Sequence, residues 1–222
     1  VPTSELDTFR STISEGSAVY GCPLSDAALD AIEKYYKLLR EWNSKMNLIS
    51  SGDLERFAEF HILDSLKIAS VADFSSMKMI MDFGSGAGLP GIPLAAAFPN
   101  MEVELVDSRL KPCSFLSEVA KEIPELNIKV TRTRVEEIPR KYNIQYDAII
   151  SRATVTLSAL YQISHRFLRK GGSIIAIKGE NLDAEFTALE TVVNKSLFHI
   201  SSTVPEPYKS VRCGKLIRIV RK

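Results

Sequence analysis

The run Asp82-Phe83-Gly84-Ser85-Gly86-Ala87-Gly88-Leu89-Pro90-Gly91-Ile92-Pro93 holds the residues of this chain best suited to cradling a ligand. Glycine lets a backbone turn sharply and approach a bound group with no Cβ in the way. Gly86, Gly88 and Gly91 spell the G-x-G-x-x-G fingerprint of dinucleotide sites, and Asp107 follows roughly 20 residues on, where a carboxylate accepts from ribose hydroxyls. That fingerprint works through free N–H groups at a helix start, which hold a pyrophosphate. Pro90 and Pro93 lack that donor. The glycine frame also opens one step earlier, as Asp82-x-Gly84-x-Gly86-x-Gly88. An acidic residue at its head suits a phosphate-free cationic ligand, and S-adenosylmethionine fits, with its adenine, ribose, ammonium and sulfonium. On the loop alone, a dinucleotide and a purely structural turn stay open as alternatives.

Such a loop needs a strand before it and a helix after it. Met79 to Phe83 reads as the strand and Leu94 to Phe98 as part of a helix near Pro90–Phe98. Further strands are expected at Glu102–Asp107, Asn127–Thr131, Tyr146–Ser151 and Ser173–Lys178, with helices near Arg109–Ile123, Leu157–Arg169 and Leu182–Val193. Lys170-Gly171-Gly172 reads as a helix stop. This rhythm predicts an α/β chain with an open, doubly wound, Rossmann-like parallel sheet. Phe198–Val204 and Lys215–Val220 have no helix between them and are expected to pair as an antiparallel edge hairpin.

Ahead of the sheet, Leu24–Met46 has Ala28, Ile32, Tyr35, Leu39, Trp42 and Met46 at helical spacing, with Ser25 as N-cap. The Tyr35–Trp42 stripe reads as core rather than as a platform for stacked bases. A second helix is expected from Leu54 to about Ser70, and residues 1–23 read as a loosely packed arm. The expected division is a helical cap over residues 1–75 and a catalytic sheet domain over 76–222.

Composition narrows the class. No run approaches the roughly 18 apolar residues of a membrane span, and residues 1–20 lack a signal-peptide pattern. Cys22, Cys113 and Cys213 form no C-x-x-C pair, and His61, His165 and His199 are scattered, so neither a disulfide framework nor a metal site is expected. A cytoplasmic protein fits these readings. Net charge is +1, divided as −5 over residues 1–75 and +6 over the rest. Tyr208 to Lys222 contains Lys209, Arg212, Lys215, Arg218, Arg221 and Lys222 and no acid. Such a segment is either a phosphate-facing patch or a solvated basic tail.

In open α/β sheets ligands bind beyond the carboxyl ends of the strands. The junctions to weigh are Gly84–Gly88, Asp107-Ser108, Arg132–Glu137, Ser151-Arg152-Ala153 and Lys178-Gly179. Backbone at Val135 or Glu136 and the Glu136 carboxylate are placed to satisfy an adenine edge, a charged surface loop being the other reading. Arg152 follows the fourth strand, beside the position of a transferred methyl group, unless it serves a structural ion pair. Ser151-Arg152-Ala153 lacks the Asn/Asp-Pro-Pro-aromatic pattern used on exocyclic amines. Carbon methylation of pyrimidines needs a cysteine nucleophile, and Cys113 follows the second strand, the wrong junction. A target already nucleophilic remains, such as guanine N7, where catalysis is alignment and water exclusion. Arg152 or Arg134 could then hold guanine O6 or a phosphate.

Taken together, Trp42-Asn43-Ser44-Lys45-Met46-Asn47-Leu48, His61-Ile62-Leu63-Asp64-Ser65-Leu66, the Gly84–Pro93 loop, Val106-Asp107-Ser108, Arg134-Val135-Glu136 and Ser151-Arg152-Ala153 resemble the glucose-inhibited division protein B family, bacterial 16S ribosomal RNA guanine-N7 methyltransferases. The resemblance runs from about Leu24 to the C-terminus. It implies a class I methyltransferase of seven strands with S-adenosylmethionine at Asp82, Gly84, Gly86, Gly88 and Leu89, its ribose at Asp107, its adenine at Val135 and Glu136 and its methionine end near Arg152. Arg152, Arg134 and His61 are then the reaction-centre candidates, Asp64 orienting His61 from one helical turn away. Asn47, Lys178 and Arg212 become candidates for contacting 16S ribosomal RNA or the small subunit, and the chain is expected to act as a monomer. Two departures stand out: Pro112-Cys113 where a second basic residue is usual, and Thr154-Val155-Thr156 where an aromatic is common. A nicotinamide-dependent oxidoreductase and a non-catalytic RNA-binding module are the competing functions.

Overall fold

Apolar residues alternate across the central strands so that both faces of the sheet are buried. Ile80, Val103, Leu105, Ala148, Ile150 and Ile175 point into one core, and Met81, Val106, Ile149, Ile174, Ala176 and Ile217 into the other. That is the pattern of a sheet covered on both sides. The computed structural model describes residues 3–139, 145–180, 182–209, 211 and 214–222. Its strands are β1 (Met79–Phe83), β2 (Glu102–Asp107), β3 (Ile128–Arg132), β4 (Tyr146–Arg152), β5 (Leu168–Lys178), β6 (Phe198–Thr203) and β7 (Lys215–Arg221). They form one sheet in the order β3-β2-β1-β4-β5-β7-β6, parallel from β1 to β5, with β7 antiparallel to both β5 and β6. The expected edge hairpin is therefore present, with β6 outermost. Its basic strand is an inner one: Arg218 donates to the Val71 carbonyl (2.8 Å) and Arg221 to that of Leu168.

Connecting helices α5 (Gly91–Ala97) and α6 (Leu110–Glu122) lie on one face, and α7 (Leu157–Ser164) and α8 (Asp183–Val192) on the other. Helix α7 stops earlier than the sequence suggests. Gly171-Gly172 lies inside β5, where the β4–β5 register shifts between Tyr146 and Ala148. A Cβ on Gly172 would stand 3.0 Å from three carbonyl oxygens, so the pair accommodates an irregular strand rather than ending a helix.

The N-terminal residues pack on the α5–α6 side. Helix α2 (Asp26–Met46) starts at Ser25, whose Oγ accepts from Ala28 N–H (3.2 Å). Tyr35 is completely buried, and Trp42 packs on Phe115 with ring centroids 5.7 Å apart, so the stripe is core. Of the expected arm, residues 3–23 differ from expectation: α1 (Thr3–Val19) is a helix packed on α2, with Phe9 stacked on Tyr36 at 4.6 Å and Ile13 fully buried. The expected second helix is broken into α3 (Ser51–Glu55), a wide π turn over Ala58–Leu63, α4 (Asp64–Leu66) and a 3₁₀ turn over Lys67–Val71. Such widened turns recur at functional sites, and this one carries His61.

Candidate active site

The loop after β1 is stitched to the end of β2, Gly84 and Ser85 N–H both donating to the Val106 carbonyl (2.8 and 3.1 Å). Gly84, Gly86 and Gly88 have φ of 73°, 56° and 95°, a region that L side chains avoid. Asp82 heads the loop from a fully buried position. Its Oδ2 accepts from Gly91 N–H (2.9 Å), and burial pushes its carboxyl up to about 7. Asp82 is thus a strut beneath the loop rather than a lining residue. Tyr35 braces the loop from the other side, its hydroxyl donating to the Ala87 carbonyl (2.7 Å).

Every donor at the start of α5 is committed. Gly91 N–H goes to Asp82, Ile92 N–H to the Gly88 carbonyl (2.7 Å) and Leu94 N–H to that of Pro90 (3.4 Å), while Pro93 has none. No backbone N–H remains there for a pyrophosphate, which removes the main reason to read a dinucleotide site.

Beside the loop lies a cavity of about 680 Å³, a size suited to a cofactor. It sits at the carboxyl ends of β1, β2 and β4, where the strand order reverses. Gly84, Gly86 and Leu89 line it, as do Asp107, Arg134, Val135, Glu136, Arg152 and Lys178. Asp107 is buried and accepts from Gly86 N–H (3.0 Å) and Arg109 N–H (2.9 Å). The Arg109 guanidinium also grips it, through Nε (3.1 Å) and Nη2 (2.9 Å). These donors outweigh burial and hold the carboxyl below the usual carboxylate range. Val135 is buried and opens a 3₁₀ turn; Arg134 and Glu136 are exposed at the rim.

Arg152, at the end of β4, reaches back to the helical cap. Its Nη1 donates to the Phe60 carbonyl and to Asp64 Oδ2 (both 3.3 Å), and its Nη2 lies 3.0 Å from His61 Nδ1. Arginine can only donate, so His61 Nδ1 is the acceptor and a neutral ring carries its proton on Nε2. Asp64 also receives Lys67 Nζ at 2.5 Å, and Lys67 is 2% exposed. The result is a buried cluster of two cations on one carboxylate. The following turn is tight: Ala153 has φ 52°, Ser151 Oγ meets Thr154 Oγ1 at 2.5 Å, and Thr156 caps α7. A Cβ on Gly84 would stand 2.5 Å from Thr154 Cγ2, so this threonine fills the space beside the loop.

Several expectations shift. His61 is buried behind Arg152 and does not line the cavity, and Asp64 engages Arg152 and Lys67 rather than His61. Gly88 is also off the lining; a Cβ there would strike Ile92 Cδ1 at 2.2 Å, so its role is packing. Asn47 is exposed and ends α2 at φ 50°. Its neighbours Leu48 and Ile49 line the cavity instead, held by Asn43, whose amide bonds Ile49 N–H (2.9 Å) and carbonyl (3.0 Å). Lys178 Nζ donates to the Val155 carbonyl (2.6 Å) and to Glu185 (3.1 Å). Arg212 lies outside the described residues. Cys113 is buried, and its Sγ donates to the Asp107 carbonyl (3.3 Å); burial raises its pKa, against a nucleophilic role. Lys67 and Arg109 are cavity residues that sequence reasoning missed.

Comparison with known proteins agrees with this geometry. The profile of a family described as rRNA small subunit methyltransferase G matches residues 28–208. A ribosomal RNA small subunit methyltransferase G from Lachnoclostridium phytofermentans is 34% identical over 203 residues, covering 89% of this chain and 84% of its own. One from Acetivibrio thermocellus is 35% identical over 191 residues, covering 84% and 78%. Among solved structures, an O-methyltransferase from Bacillus cereus superposes with a TM-score of 0.60 at 14% identity, over 85% of this chain and 91% of its own. TrmN from Thermus thermophilus superposes at 0.54 with 16% identity, over 72% and 49%. At such identities the likeness shows the fold alone.

Proposed function

The chain belongs to the rRNA small subunit methyltransferase G family, and from that membership and the cavity we propose that it methylates guanine N7 in 16S ribosomal RNA. The fold is that of class I methyltransferases, and S-adenosylmethionine is the methyl donor. The observation that carries the reading is the pairing of a helix start at α5 whose backbone donors are all committed with a buried carboxylate at Asp107. Together they suit a ribose-bearing cofactor that has no phosphate.

The residues present fit that cofactor. Asp107 would accept from its ribose hydroxyls, and Val135 and Glu136 would meet its adenine. Gly84, Gly86 and Leu89 would lie along its middle, with Asp82 holding the loop in place. Arg152 would face the methionine end as a fixed cation. Bound there, the cofactor supplies an electrophilic methyl group on a sulfonium. The chain's own contribution is alignment: a guanine N7 lone pair lies in the ring plane and carries no proton, so no general base is needed. This agrees with His61, whose Nδ1 is occupied by Arg152. His61 and Asp64 act by positioning Arg152. Arg134, exposed at the rim, would meet guanine O6 or a phosphate; Asn47, also exposed, would face the RNA of a monomeric enzyme, as would Lys178 from the cavity lining, and Arg212 is a further candidate for RNA contact. We assign residues 1–75 to a cap and 76–222 to the methyltransferase domain; Phe60, His61 and Asp64 of the former hold Arg152 from behind.

Labelled methyl transfer to small ribosomal subunits that lack the modification tests the reading. Arg152→Ala should abolish most transfer while the protein stays folded. Wild-type turnover in that variant would remove Arg152 from the mechanism.

A further inference from the structure

We propose that Arg109 sets the cofactor affinity of this chain by competing for the acceptor positions on Asp107 that a ribose diol requires. The proposal rests on the assignment of Asp107 to the ribose. An ionised carboxylate offers about four lone-pair positions. Here all four are taken: Oδ1 accepts from Arg109 N–H and Nε, and Oδ2 from Gly86 N–H and Arg109 Nη2. The two backbone donors belong to the loop and to the start of α6, and they fix the carboxylate where it stands. The other two come from the Arg109 side chain. A diol brings two O–H donors, so it can engage Asp107 in full only after the guanidinium leaves.

The surroundings allow that exchange. Asp107 is buried and pinned, whereas the Arg109 side chain is 67% exposed. Its Nη2 lies over the loop, 3.7 Å from where a Cβ on Gly86 would stand, and Arg109 itself lines the cavity. The backbone N–H of Arg109 can keep its bond to Oδ1 while the side chain swings into solvent. Because the guanidinium end of this pair stands in solvent, it weakens with salt and its net worth lies near that of an exposed pair, about 1 kcal/mol, which corresponds to about fivefold in a dissociation constant. Arg109 is therefore an affinity-setting residue that acts by competition.

Calorimetric titration of S-adenosylhomocysteine, a ligand of no net charge, into the full chain tests this. Arg109→Met should bind about threefold to fivefold tighter than wild type at low salt. Wild-type binding should strengthen as salt is raised, and that of Arg109→Met should not. Equal or weaker binding by Arg109→Met, or a wild-type affinity that falls with salt, would overturn the proposal while leaving the cofactor site intact. Absence of binding by wild type would overturn the site assignment and the proposal together. Loss of binding in Asp107→Asn alone supports the assignment on which the proposal rests.

Discussion

Asp64 is 3% exposed, and its carboxylate meets two cations, Lys67 Nζ at 2.5 Å and Arg152 Nη1 at 3.3 Å. This arrangement predicts strong non-additivity. In Arg152→Ala the carboxylate keeps Lys67, so the cost is that of hydrogen bonds to a charged group, about 1–3 kcal/mol. In Lys67→Met it keeps Arg152, and the methionine fills the space of the lysine stem, for about 1–2 kcal/mol. The double variant strands a buried carboxylate with neither cation, a situation of the kind that costs about 3–5 kcal/mol. Because the three side chains share one network, the double should exceed the sum of the singles by more than about 0.5 kcal/mol. Urea unfolding of all four proteins, with slopes compared as well as midpoints, reads this directly. The cycle cancels whatever else each side chain does. Additivity within about 0.5 kcal/mol would refute the shared-carboxylate account.

Tyr35→Phe removes the hydroxyl that braces Ala87 in a fully buried setting. It should cost about 1–3 kcal/mol, seen as a fall of several degrees in Tm, and weaken S-adenosylhomocysteine binding; an unchanged Tm and affinity would show that α2 does not support the loop. Asp82 gives a pH signature, because its folded carboxyl is raised from 3.8 to about 7. Between those values the native state holds a proton that the unfolded chain has lost. Stability from this group is thus present at low pH and falls as pH rises from about 4 towards 7. Asp82→Asn should flatten that fall in urea-unfolding free energies measured across the window, and an unaltered slope would argue against a protonated Asp82.

How much was legible follows from what each signal encodes. The strands of the sheet could be read because their apolar runs alternate with helical ones, and β1 to β4 lie close to their expected positions, whereas β5 begins at Leu168 rather than at Ser173. The glycine frame and Asp107 likewise declared themselves by type and spacing. Helix α1 was missed because, of its inner face, only Phe9 and Ile13 are large and apolar; Thr12, Gly16 and Ser17 at the same helical spacing are too small or polar to complete an apolar stripe. Asp64 and Lys67 stand at i, i+3 spacing, but Lys67 between Leu66 and Ile68 gives no sign that the pair is buried, which the packing of the α4 turn brings about at 2.5 Å. The Arg109–Asp107 grip, two residues apart, follows no helix or strand rule. It depends on the bend between β2 and α6. Gly171-Gly172 shows the limit of punctuation residues, since the same pair that can end a helix here admits an irregular strand pairing.

The central claim is methylation at one atom, and product analysis tests it most directly. Purified protein, labelled S-adenosylmethionine and small ribosomal subunits lacking the modification would be incubated, the 16S RNA digested, and the labelled nucleoside identified. N7-methylguanosine is the predicted product. Label in any other nucleoside, or bound cofactor with no transfer to 16S RNA, would contradict the account.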